Sequence, residues 1–303
     1  MELTKQFYKD LDSKILLEAT LPLEYESNEL LLRNLSCILT LAGITSFDIS
    51  ANPESVKYVN EGIKDAFIIN KDLNEGINNN PFIKISFGAL NPLKEQYYHL
   101  GSDDKLFSKS FIEKNLSACI EKGSQIIELH VGNMDDEQFL SIWKIINELS
   151  QDGLISINLN RVFKSNAHLV NLIKKAYEIN RNKPILQIDG ATSKGKVESY
   201  SDSLQSLATA DILIKELKIK EKKRFRKMYI ILCGDINTKT NALALICNIE
   251  YSGLSLGHHY MNSHFSFLNG ELNQKKLVED MDRVHFLLPK VKDYLKKFRM
   301  LKK

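Results

Sequence analysis

The 303-residue sequence contains no C-x-x-C pair, no apolar run of membrane-spanning length and no large excess of either charge. Its four cysteines, Cys37, Cys119, Cys233 and Cys247, are widely separated. Zinc and iron–sulfur sites normally include at least one short-spaced cysteine pair, and disulfide frameworks belong to small secreted domains. The expectation is four reduced cysteines serving as small core residues. No stretch reaches the ~18 apolar residues of a membrane-spanning helix. The start, Met1 to Gln6, lacks the basic and apolar regions of a secretory signal. Lys+Arg 41 against Asp+Glu 38 leaves a net charge of +3, too little to argue for nucleic acid. A cytoplasmic or plastid-stroma protein is expected. Linkers rich in Pro, Gly or Ser are also absent, as are low-complexity segments, which favours one domain.

What is present is alternation. Hydrophobic residues make up 43%, enough for a large core. Apolar runs predict strands at 15–19, 46–50, 82–87, 126–131, 154–159, 184–189, 228–233 and 252–256. Between most of them, apolar residues recur at helical spacing, as in Leu31, Leu35, Ile38 and Leu39, with Gly43 as a stop. Another helix ends at Gly123, and Asn52-Pro53 opens one with Pro in the first turn. Eight strands alternating with helices over about 250 residues is the pattern of a (β/α)8 TIM barrel. An open doubly wound sheet would want a Gly-rich turn after the first strand; here Thr20-Leu21-Pro22-Leu23 stands there. The predicted organisation is an α/β TIM-barrel-like domain over 1–270 and a basic C-terminal helix over 271–303.

In such a barrel, chemistry sits at the C-terminal ends of the strands. That rule selects Glu18, Asp48, Asn52, Ser86, Glu128, His130, Asn158, Gln187, Asp189 and Ser255, among others. Glu128 and His130 are two apart on one strand and so share a face. With Asp189 they suit acid/base work; the competing reading is a hydrogen-bonded polar layer. Gly234-Asp235-Ile236-Asn237-Thr238 and Gly257-His258-His259 follow the last two strands, the usual phosphate site of this fold. Helix capping by Asn237 or Thr238 explains the first equally well, and Asp235 would repel an anion. Candidate ligand-binding residues are thus Asp48, Asn52, Gly190, Gly234, Asn237, Thr238, Gly257 and His258. The paired histidines are read as rim residues, and no metal site is assigned. Lys215 to Lys227 holds eight basic and two acidic residues. It precedes the seventh strand, so it belongs to the face away from the site, as a solvated helix end.

Several of these segments resemble the LdpA family, the cyanobacterial light-dependent-period proteins, which are iron–sulfur redox sensors linked to the circadian clock. Leu41 to Pro53 resembles that family's "LAGADCIDVAADP", and Ile126 to His130 resembles "AVEIHT". Gln187 to Gly190 resembles the start of "QTDGRPMSGD". Leu232 to Asn237 resembles "LAGGTN", and Ser252 to Tyr260 resembles "AGIAYGSYAR". The order is that of the family. The family's cysteine-rich insert after the third strand is missing, because no cysteine lies between Cys37 and Cys119.

The resemblance implies a cluster-less regulatory or protein-binding module without a cofactor. Protein partners and a link to light, redox or circadian signalling follow as expectations. The alternative is a barrel enzyme of lyase, isomerase or aldolase type, acting on a small substrate, with or without a phosphate group. The cluster-less expectation predicts purified protein free of iron and acid-labile sulfide. A visible charge-transfer band with stoichiometric iron would refute it.

Overall fold

A computed structural model describes residues 2–13, 16–21, 28–41, 43–73, 80–88, 90–91, 96–97, 108–132, 134–150, 154–159, 165–180, 182–189, 200–220, 225, 228–233, 249 and 251–256. In chain order the elements are α1 (Glu2–Asp12), β1 (Leu16–Thr20), α2 (Glu29–Leu41), β2 (Ser46–Ser50), α3 (Pro53–Leu73), β3 (Phe82–Phe87), β4 (Leu90–Asn91) and β5 (Gln96–Tyr97). They continue with α4 (Lys109–Glu121), β6 (Ile126–His130), α5 (Asp136–Leu149), β7 (Ile155–Leu159), α6 (Asn166–Ile179), β8 (Ile185–Asp189), α7 (Tyr200–Lys220), β9 (Tyr229–Cys233) and β10 (Gly253–Leu256).

The strands β1, β2, β3, β6, β7, β8, β9 and β10 pair in parallel in that order, and β10 returns to β1 to close a barrel. This is the (β/α)8 TIM barrel expected from the alternation. The small strands β4 and β5 form a separate antiparallel pair, Leu90 opposite Tyr97. The expected C-terminal helix over 271–303 lies outside the described residues.

Period-two alternation splits the core in two. Outward-facing residues such as Leu17, Phe47, Ile83, Ile85, Ile127, Ile157, Leu186, Ile188, Ile230 and Leu232 pack with the helices in one large cluster. At the N-terminal end of the barrel, Leu16, Phe82, Ile126, Leu154, Ile185, Tyr229 and Ile231 form a second cluster with Phe7 and Leu11 of α1. Helix α1 therefore plugs the barrel floor, with the Phe7 and Phe82 rings meeting edge-on at 4.9 Å. It was not anticipated, although Leu3, Phe7 and Leu11 repeat every four residues.

The expected glycine stops are observed. Gly43 (φ 88) and Gly123 (φ 113) adopt the left-handed conformation. In each case its own amide and the next one bond back to the last turn, as with Gly43 N to Thr40 O and Ile44 N to Leu39 O. Gly62 serves a different need, a close helix–helix approach: a Cβ there would lie 2.1 Å from the Arg33 carbonyl oxygen and 2.9 Å from Ser36 Cβ. Gly62→Ala is expected to push α2 from α3 and cost about 1–3 kcal/mol as overpacking. The check is a thermal melt showing Tm lower by several degrees; an unchanged Tm would show that the helices separate freely.

Candidate functional site

Above the apolar floor, the inner faces of the strands turn polar. Glu18 (β1), Lys84 (β3), Glu128 (β6), Ser156 (β7), Gln187 (β8) and Ser255 (β10) are all 2% exposed or less. The Lys84 ammonium gathers this layer. Its Nζ donates to Glu18 Oε1 at 2.9 Å, to Glu128 Oε2 at 2.9 Å and to Gln187 Oε1, and lies 3.5 Å from Asp48 Oδ2. Three carboxylates from three strands thus converge on one buried cation.

The neighbouring side chains secure the carboxylates. Glu128 accepts from Ser156 Oγ (2.7 Å), Asn158 Nδ2 (2.9 Å) and Ser86 Oγ (3.3 Å). Asp48 accepts from Ser86 Oγ at 2.6 Å and from Thr20 Oγ1 at 3.3 Å. His130, one inward step above Glu128 on β6, is 9% exposed. Its Nε2 lies 3.6 Å from Glu128 Oε1, and neither ring nitrogen has a hydrogen-bond partner among the described residues.

One ammonium among three carboxylates separates their proton affinities. Burial pushes Glu18 and Asp48 up, Asp48 to about 8. Glu128 is held below the usual carboxylate range: burial would raise it, but Lys84, His130 and the Asn158 hydrogen bond outweigh that. Lys84 stays charged because its carboxylate partners outweigh desolvation. Burial drives His130 down to about 4, against the pull of Glu128. Near neutrality the site holds an ionised Glu128, a protonated Asp48 and an uncharged His130. That is a base and an acid side by side.

Of the residues singled out from sequence, Glu128, His130 and Asp48 come together here, with Glu18, Ser86, Asn158 and Gln187 from the wider strand-end set. Asn52 caps α3, its Oδ1 accepting from Glu54 N at 3.0 Å. Asp189 ends β8 in register with Cys233. Gly190, Gly234, Asn237, Thr238, Gly257 and His258 lie outside the described residues. Lys84 was missed because the strand-end rule looks only at the rim. The signal was a lysine inside the apolar run Phe82-Ile83-Lys84-Ile85, in phase with Ser86.

Among the described residues, no group of His, Cys, Asp and Glu is arranged to hold a metal ion; the Lys84 ammonium occupies the point where the carboxylates meet. Cys37, Cys119 and Cys233 are buried. Burial holds the Cys37 thiol up at about 12, which makes it unreactive. No described helix is long and apolar enough to cross a membrane.

No family model matches the chain, and no curated protein sequence does either. Solved structures do resemble it. A putative fructose-1,6-bisphosphate aldolase from Coccidioides immitis aligns with TM-score 0.53 and 10% identity over 97% of this chain and 96% of that one. The YdjI aldolase of Escherichia coli K12 gives 0.52 and 9% over 94% of both. A putative deoxyribose-phosphate aldolase from Toxoplasma gondii ME49 gives 0.50 and 14% over 93% and 97%. At such identities the likeness is one of fold.

The buried charges make a pH prediction. Asp48 keeps its proton to about 8 rather than the ordinary 3.8, so stability falls as pH rises through that window. His130, depressed from 6.5 to about 4, loses stability as pH falls across its own window. The two oppose each other below pH 6.5, and Asp48 acts without that opposition above it. Asp48→Asn is expected to flatten the decline between pH 6.5 and 8, a change of up to about 1.4 kcal/mol per pH unit. Urea unfolding across that range checks it; equal slopes in both proteins would refute it.

Proposed function

We propose that the chain is a TIM-barrel enzyme of the lyase, isomerase or aldolase type that moves a proton next to a carbonyl group of a small substrate. The observation that carries this reading is His130: buried, uncharged, without a hydrogen-bond partner among the described residues, and 3.6 Å from an ionised carboxylate. The uncharged imidazole carries a lone pair that can take a proton. Glu128 stabilises the imidazolium that forms when it takes a proton. Asp48, protonated to about 8, donates to the carbonyl oxygen where negative charge develops.

Lys84 takes no covalent part. A Schiff-base lysine must be uncharged to attack, and the three carboxylates hold this one protonated. Its role is to hold Glu18, Asp48 and Glu128 apart in proton affinity. The aldolase neighbours support a carbonyl-directed reaction on this fold. None of the neighbours named above is a regulatory protein, so the enzyme reading is preferred to the circadian or redox module.

The test is deuterium exchange into hydroxyacetone, dihydroxyacetone phosphate and pyruvate, followed by proton NMR. The exchange rate is expected to be flat between about 4 and about 8, falling below as His130 protonates and above as Asp48 ionises. His130→Gln is expected to lose about 10²–10⁴-fold of the rate. Exchange that survives undiminished in this variant would overturn the assignment.

A further inference from the structure

The hydrogen-bonding capacity of the barrel mouth is lopsided. The donors Lys84, Ser86, Ser156, Asn158 and Gln187 all point at the carboxylates of Glu18, Asp48 and Glu128, with one Lys84 bond going to Gln187. Four buried polar atoms here have no hydrogen-bond partner among the described residues: Glu18 Oε2, Asn158 Oδ1 and the two ring nitrogens of His130. Asn158 Oδ1 can only accept, Glu18 Oε2 accepts when Glu18 is ionised, and an uncharged imidazole offers one acceptor and one donor. The Asn158 amide cannot turn round, because its nitrogen end must face Glu128, which only accepts.

The charge balance points the same way. Three carboxylates surround one ammonium at 1% exposure. That ammonium is already taken up by its carboxyl neighbours, so an arriving anion would meet the ionised Glu128 and find no free cation among the described residues of the mouth. A hydroxyl group would find acceptors for its proton.

Building on the enzyme reading above, we infer that this half of the mouth takes the uncharged, hydroxyl-bearing part of the ligand, a polyol or hydroxy-carbonyl group, and rejects a carboxylate or free phosphate. Asn158 and His130 set that preference, Asn158 by accepting at Oδ1 and His130 by bonding through its ring.

The test uses the full chain and four probes: erythritol, hydroxyacetone, acetate and inorganic phosphate. The readout is the His130 ring ¹⁵N signal, assigned with His130→Gln. Erythritol and hydroxyacetone are expected to shift it saturably, and a tenfold excess of acetate or phosphate to leave it in place and displace neither. Asn158→Leu, shown folded by its melting curve, is expected to weaken erythritol binding at least tenfold. Acetate or phosphate moving the signal and displacing erythritol would overturn the inference, as would polyols that never perturb it. The wild-type competition decides the matter if the variant does not fold. Exchange into pyruvate as fast as into hydroxyacetone would sink the ligand class and leave the enzyme reading intact. Erythritol binding without exchange into any probe would do the reverse.

Discussion

A lysine ammonium at the centre of a protein must be neutralised, and in this barrel that requirement organises everything above the floor. Moving an ion that size out of water costs several kcal/mol even after relaxation. Lys84 offsets this with three carboxylates and an amide oxygen. The carboxylates then need donors of their own, which explains Ser86, Ser156, Asn158 and Thr20 on the same inner faces. A closed parallel barrel suits such a network. Side chains at one height on separate strands point at a common axis, so residues far apart in sequence meet there.

The network also divides the labour of the fold. Apolar packing lies outside the sheet, against the helices, and below the network, where Phe7 and Leu11 of α1 close the floor. The interior above the floor is therefore free to be polar, whereas branched apolar side chains usually fill this layer. A single cation among three acids cannot satisfy all of them equally. Glu128, with the most donors, stays ionised, and Asp48 and Glu18 are pushed towards the protonated form. Acid and base thus arise from one arrangement rather than from separately tuned sites.

Much of this was legible in the residues. Alternating runs such as Ile126-Ile127-Glu128-Leu129-His130 marked strands, Gly43 and Gly123 marked helix ends, and the count of eight marked the barrel. The same alternation put Glu128 and His130 on one face. Helix α1 escaped because a short amphipathic segment before the first strand has no place in the repeating unit. Lys84 escaped because a lysine in a strand ordinarily marks an exposed edge, and only closure of the barrel turns that position inward.

By itself, the sequence determined the elements, their order and which side chains share a strand face, because these depend on local periodicity and on glycine and capping chemistry. Only the tertiary structure decided that Glu18, Asp48, Lys84 and Glu128 meet, and hence which acid keeps its proton. Proton affinity inside a protein depends on burial and on distances of a few ångströms between strands. Those distances are set when β10 pairs with β1 and the barrel closes.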